Sequence, residues 1–386
     1  MKIKTLFLMF GLLLIAACTT VGPVFSPGEP ATTETLPPPG LTMLTATPDL
    51  NAATPTIHPP TYFFFEPGVN PLTGLPVSDP AILERRPVMV KVSNWPREGR
   101  PHAGLSQADL VFEYYIGFQM NRFVAVYYGE DSEWIGPVRS GRLVDAQLAN
   151  LYQGLLGYGN ADPQVDEVIL DAIGARALAF NYLPCPAMCG TSTYAATGVH
   201  ANSSALTDHA LAIGVPNDMP DLRGMYFQDE IPANGEPGWT LRVEYANFSI
   251  MQWYYDEETA DYHLWMEAED GGTLILAPMN DRNNGQPVAF DNLVVMFAEY
   301  VEYAPSLHDI LIEGKYTLQD ALLFRDGQVI RGTWRTPDPG RPVIFETLDG
   351  GPMPLKPGRT WVVIAGLNSQ ISWPEEGFWR IDFLIP

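Results

Sequence analysis

Arg139 and Arg142 close the run Ile135-Gly136-Pro137-Val138-Arg139-Ser140-Gly141-Arg142, directly before an amphipathic stretch that carries Asp145. Two arginines at a helix start suit an anion. Free backbone N–H groups and the positive end of the helix dipole favour negative charge, and each guanidinium adds forked donors for phosphate or carboxylate. The same spacing allows a purely structural arrangement, in which Arg142 pairs with Asp145 three residues on and Arg139 with another carboxylate. Glu113 offers a different chemistry. Buried beside a carboxylate such as Asp109 or Asp145, it could act as a general acid, whereas a strand glutamate that is solvated or paired with arginine does not. Ser106, followed by Asp109 in the Ser-x-x-acid form, reads as a helix cap rather than a nucleophile.

Cys185 and Cys189 lie between Pro184, Pro186 and Gly190, which place them in a loop. In an oxidising compartment they can pair, and otherwise they are two free thiols. Two thiols without a nearby histidine fall short of the four ligands of structural zinc. The six histidines, at 58, 102, 200, 209, 263 and 308, show no ligand spacing. The chain also has no Gly-x-Ser-x-Gly elbow, His-Glu-x-x-His helix or glycine-rich phosphate loop, so neither a metal nor a cofactor is expected.

Elements must position these groups. Arg86–Val92, Leu110–Tyr115 and Arg122–Tyr128 alternate as strands, while Leu143–Leu155 and Val165–Ala179 carry apolar residues at helical spacing. From Trp239 onward the chain reads as strand after strand: Thr240–Tyr245, Ser249–Tyr255, Tyr262–Met266, Leu293–Phe297, Ala321–Arg325, Gln328–Thr333, Val343–Glu346 and Trp361–Ala365. Asp326-Gly327 is a two-residue hairpin turn, since both central positions need positive φ. The expected fold is α/β (α+β): a layered α/β domain over 67–235, then a mainly antiparallel β domain over 236–386. The aromatics of the second half, Trp253-Tyr254-Tyr255, Tyr262, Trp265, Trp334, Trp361, Trp373 and Trp379, either fill its core or stack on sugar faces.

The start of the chain says where this fold works. Lys2 and Lys4, an apolar run from Leu6 to Ile15 and Ala16-Ala17-Cys18 form a lipoprotein signal over 1–17, with Cys18 the acylated residue. The apolar run is shorter than the about 20 residues that span a bilayer. From 18 to 66 the chain is rich in proline and threonine and has no lysine or arginine, which predicts a disordered tether. The formal charge is −23; without Lys2 and Lys4, 20 basic residues face 45 acidic ones, or −25. Such a balance repels nucleic acid but leaves room for a local arginine pocket holding a small anion.

Asn70-Pro71-Leu72-Thr73-Gly74, Arg86-Pro87-Val88-Met89-Val90, Arg100 to Asp109, Ile135 to Arg142, Asp326-Gly327, Gly332-Thr333-Trp334 and Pro357 to Trp361 together resemble the YerB-like lipoproteins. The resemblance covers nearly everything after residue 70 and implies a layered α/β domain joined to a β-rich one, with no established activity. By motif it draws attention to Arg122 in Asn121-Arg122-Phe123, to Glu113, and to Arg139 with Arg142. His200 and Asn202 stand where the family has adjacent His and Asn, here separated by Ala201. Leu264 replaces the family's arginine two residues after Tyr262. The reading is a lipid-anchored extracytoplasmic protein binding an anionic small molecule or cell-envelope fragment at Arg122, Arg139 and Arg142, supported by Glu113, His200 and Asn202. The alternatives are an envelope hydrolase using Glu113 and a second carboxylate, and a scaffold without a ligand.

Overall fold

β-branched and aromatic residues recur at period two over most of the chain and make it extended. The computed structural model describes residues 59–191 and 198–385, all within one compact unit, Pro55–Pro386. The signal, Cys18 and the tether up to residue 58 lie outside the described residues. Among the last tether residues, the Tyr62 hydroxyl donates to Asp338, and the Phe63 and Phe65 rings lie 4.6 and 6.2 Å from those of Tyr226 and Phe227. Ordered contacts thus begin before residue 67.

The first half supplies β1 (Val88–Ser93), β2 (Leu110–Gly117), β3 (Met120–Tyr127), α1 (Leu143–Leu151), β4 (Leu155–Tyr158), α2 (Pro163–Ile173) and β5 (Ala177–Ala179). A short hairpin, β6 (Met188–Gly190) with β7 (Val199–Ala201), leads into α3 (Ser203–Ala212), followed by the short β8 (Tyr226–Phe227) and β9 (Glu236–Pro237). The second half supplies β10 (Thr240–Ala246), β11 (Ser249–Asp256), β12 (Asp261–Asp270), β13 (Thr273–Pro278), β14 (Ala289–Phe290) and β15 (Asn292–Ala304). It continues with β16 (Leu307–Leu311), β17 (Gln319–Arg325), β18 (Gln328–Arg335), β19 (Ile344–Thr347), β20 (Pro354–Leu355), β21 (Thr360–Gly366), β22 (Gln370–Glu375) and β23 (Phe378–Asp382). The α+β expectation holds: helices occur in the first half and the second is built of strands.

The larger sheet runs β19-β18-β17-β15-β21-β2-β3-β1-β4-β5, so both halves of the sequence share it. Their seam is the parallel pairing of β2 with β21, from Leu110↔Thr360 to Tyr114↔Ile364. A second sheet, β13-β12-β11-β10-β23-β22, meets one face of the first through aromatic rings. Trp253 on β11 lies 5.0 Å from Trp361 on β21, which in turn lies 4.9 Å from Phe123 on β3. Trp253, Tyr262, Trp334, Trp361 and Trp379 are fully buried, so these aromatics fill the core, while Trp373 is exposed.

Three sequence expectations are corrected. The helix expected over Val165–Ala179 ends at Ile173, where Gly174 takes a φ of 57°, and Ala177–Ala179 forms β5. The helix expected to reach Leu155 ends at Leu151, because Gln153 takes a positive φ of 48° and Gly154 lies where a Cβ would meet the Met89 sulfur at 2.7 Å. Leu155 instead begins β4, parallel to β1. Ser106 caps no helix: it sits inside a single 3₁₀ turn, Leu105–Gln107, and its hydroxyl donates to Asp281 at 2.8 Å. Asp326 and Gly327, at φ 48° and 70°, do form the expected turn between β17 and β18.

Cys185 and Cys189 are joined by a disulfide. In the chain-entropy picture so small a loop stabilises by about 2 kcal/mol. The Cys185→Ser/Cys189→Ser variant is therefore expected to unfold that much more easily in guanidinium, with the parent in dithiothreitol matching it.

Candidate functional site: an arginine cluster at splaying strands

β1 and β4 pair in parallel from Val88↔Leu155 to Val90↔Gly157 and then diverge. The segment after Pro137 fills the gap. Arg139 N donates to Lys91 O (3.0 Å), Gly159 N to Arg139 O (2.8 Å) and Gly141 N to Asn160 O (3.1 Å). Pro137 to Arg139 thus run alongside Lys91–Ser93 of β1, and Arg139 to Arg142 sit where β1 and β4 part, next to the carboxyl end of β4. Gly141 is required there, since a Cβ would lie 2.8 Å from Ile169 Cδ1 and 3.1 Å from the Tyr158 ring. Arg122 joins from β3, its Cα opposite Ser93 of β1 and Tyr114 of β2, which puts all three on one face of the sheet.

The guanidinium groups of Arg122 and Arg142 meet at one carbonyl: Arg122 Nη1 donates to Ser140 O (3.0 Å), and Arg142 Nη1 to Gly141 O (2.8 Å) and Ser140 O (3.4 Å). Arg139 Nη1 donates to Val138 O at 3.1 Å. Among the described residues, no carboxylate lies within ion-pair distance of the Arg122 or Arg142 side chain. Their Nε atoms are buried without a partner, as is Asn160 Oδ1. Burial, and then the neighbouring charges of Arg142 and Arg139, hold Arg122 well below the usual arginine range. Burial lowers Arg142 to about 10 and also lowers Arg139.

Asp145 is not the counter-ion that its spacing allows. It accepts the Arg142 backbone N–H (2.7 Å), the Lys91 ammonium (3.1 Å) and the Tyr114 hydroxyl. Lys91 and Asp145 are fully buried. Burial pushes Lys91 down to about 7; Asp145 opposes this, and the charges of Arg122 and Arg142 add to it. Burial raises Asp145, against the pull of Lys91. Beside a buried, neutralised Lys91–Asp145 pair, the cluster therefore gathers three guanidinium groups.

The structure brings together Arg122, Arg139 and Arg142 but not the other three candidates. Glu113 faces the second sheet, on the opposite side of β2 from Tyr114. It accepts from Asn121 Nδ2 and Trp361 Nε1, each at 2.7 Å. Burial raises it to about 7, although these hydrogen bonds hold it down. Neither Asp109 nor Asp145 touches it: Asp109 accepts from Asn70 and from the N–H groups of Tyr128 and Gly129. His200 stacks on Trp134, ring centroids 4.7 Å apart, and Asn202 caps α3 by accepting Ala205 N at 3.0 Å. Lys91 and Asn160 were not singled out from the sequence. A lone lysine inside the otherwise apolar run Val-Met-Val-Lys-Val is the signal for the first.

This fold is that of a known family of proteins without an assigned function. The chain carries both of its parts: residues 72–184 match the N-terminal domain, and 241–362 the C-terminal domain, of the protein of unknown function DUF3048. The chain belongs to that family. It is 28% identical over 307 residues, covering 76% of this chain and 85% of the other, to "Putative lipoprotein YerB" of Bacillus subtilis (strain 168). The crystal structure of YerB protein from Bacillus subtilis superposes with a TM-score of 0.63 at 26% identity, covering 77% of this chain and 96% of that one.

Proposed function

We propose that this chain is a lipid-anchored extracytoplasmic protein that binds a small anion, or an anionic cell-envelope fragment, between Arg122, Arg139 and Arg142. One observation carries the reading: Arg122 and Arg142 converge, largely buried, with only carbonyl partners and unpartnered Nε atoms. Three like charges in one place repel, and an arrangement of that kind is retained where an anion repays it. The lipid anchor rests on the signal ending in Cys18 and on the similarity to a protein named as a lipoprotein.

The test separates this from a structural role. Arg122→Met removes repulsion, so the variant is expected to melt no lower than the parent and up to ~1 kcal/mol more stable, while losing anion binding. Calorimetric titration with phosphate, pyrophosphate and citrate reads the binding, and guanidinium unfolding reads the stability. A variant that melts much lower and binds as the parent does would make the cluster structural.

A further inference from the structure

Asn202, absent from the arginine cluster, borders a separate cleft of about 780 Å³ whose walls come from both halves of the sequence. Its platform is Trp134, 52% exposed, whereas Trp253, Trp334, Trp361 and Trp379 are buried. That ring is held in place. His200 stacks beneath it at an interplanar angle of 21°, and its backbone carbonyl accepts from Asn283 Nδ2 (2.8 Å) and Ser132 Oγ (3.1 Å). Its neighbour Ile135 exchanges backbone hydrogen bonds with Ala201, both at 2.9 Å.

Around the platform stand three amides, Gln107, Asn202 and Asn283, with Asp131, Glu133 and Arg282. Asp131 is already engaged by Arg85 through two 3.0 Å hydrogen bonds, and Arg282 is tied to the Gly99 carbonyl at 3.0 Å. The charges cancel: two carboxylates against Arg85 and Arg282. A phosphate-bearing ligand gains nothing from such a lining, in contrast to the arginine cluster. Asn202 spends Oδ1 on capping α3, and its NH₂ has no acceptor among the described residues.

We infer that this cleft binds a neutral saccharide, one ring lying on Trp134 with its hydroxyl edge on the amides and on Glu133. A sugar ring has an apolar C–H face and an edge of groups that both donate and accept. A rigid exposed indole answers the first, and side-chain amides and carboxylates the second. Because the ring is already fixed, little conformational freedom is lost on binding.

Tryptophan fluorescence and indole N–H NMR shifts, read while titrating the folded chain with tetra-N-acetylchitotetraose, maltotetraose and adenosine, test this. Saturable binding of at least one saccharide is expected, weakened roughly tenfold or more in Trp134→Ala and several-fold in Glu133→Ala. Both residues are exposed, so both variants should keep the parent's Tm, and the Trp134 indole signal should be the one that moves. No saturation with either saccharide, adenosine binding in their place, or saccharide binding unchanged in Trp134→Ala would each overturn the inference. Arg122→Met should leave the titration unaltered, so the cleft and the arginine cluster succeed or fail separately.

Discussion

Trp361→Ala is expected to lower the unfolding free energy by about 4 kcal/mol, among the largest effects of any single change in the chain. The indole is fully buried where the sheets meet, its ring 4.9 Å from Phe123, 5.0 Å from Trp253 and 5.3 Å from Phe290. The cavity left by its removal would be walled by three other aromatics. Trp361→Phe separates packing from hydrogen bonding, because it keeps a ring and deletes the donor to Glu113. Glu113 titrates near 7 in the folded chain, raised by burial from about 4.5, so it costs stability progressively as pH rises from about 4.5 through 7. Loss of a donor that favours the carboxylate moves the upper end of that window higher. The Trp361→Phe deficit should therefore be larger at pH 8.5 than at pH 5 in guanidinium unfolding. A deficit that is equal at both would show that the indole N–H does not support a charged Glu113.

Asp145→Ala is the second large effect, expected at about 3–5 kcal/mol at pH 5.5. It strips the counter-ion from Lys91, which is fully buried and within the field of Arg122 and Arg142, and leaves the Arg142 N–H at the start of α1 without its acceptor. Lys91 already gives up its proton near 7 in the folded chain, against an ordinary value of 10.5. A base lowered in this way destabilises the fold fully at low pH and progressively less as pH rises towards its ordinary value. Without Asp145 its folded-state value drops below 7, so the variant's added penalty lies below that point. The deficit should shrink between pH 5.5 and pH 8.5, opposite in sign to that of Trp361→Phe. Chemical unfolding of both variants at the two pH values checks the pair of signs together.

The eight strands expected in the second half all occur, because alternation, β-branched residues and the Asp326-Gly327 turn point the same way, but β12 and β15 run several residues longer than expected, and β13, β16, β22 and β23 were not read at all. The end of α1 was not legible either. Leu155 continues the helical apolar spacing, and the helix is stopped by the positive φ of Gln153 and the approach of Gly154 to Met89, neither of which that spacing shows. Ser106 has a capping sequence, but its hydroxyl is taken by Asp281, 175 positions away, which no local pattern announces. In the candidate site, Arg139 and Arg142 were readable from one short run, and Arg122 through the family motif. Alternation along β2 separates Glu113 from Tyr114, but only the assembled sheets show that each face is covered by a different layer. His200 and Asn202 were grouped by the motif, yet the first lies in β7 and the second leaves it to cap α3.

Whether the arginine cluster holds an anion can be seen directly, by diffraction from crystals soaked with tungstate, whose anomalous signal locates a phosphate-shaped oxyanion. A peak is expected within hydrogen-bonding distance of Arg122 and Arg142, absent from Arg122→Met crystals treated identically. Tungstate bound elsewhere while the cluster stays empty, or a carboxylate of the chain closed over both guanidinium groups, would contradict anion binding there.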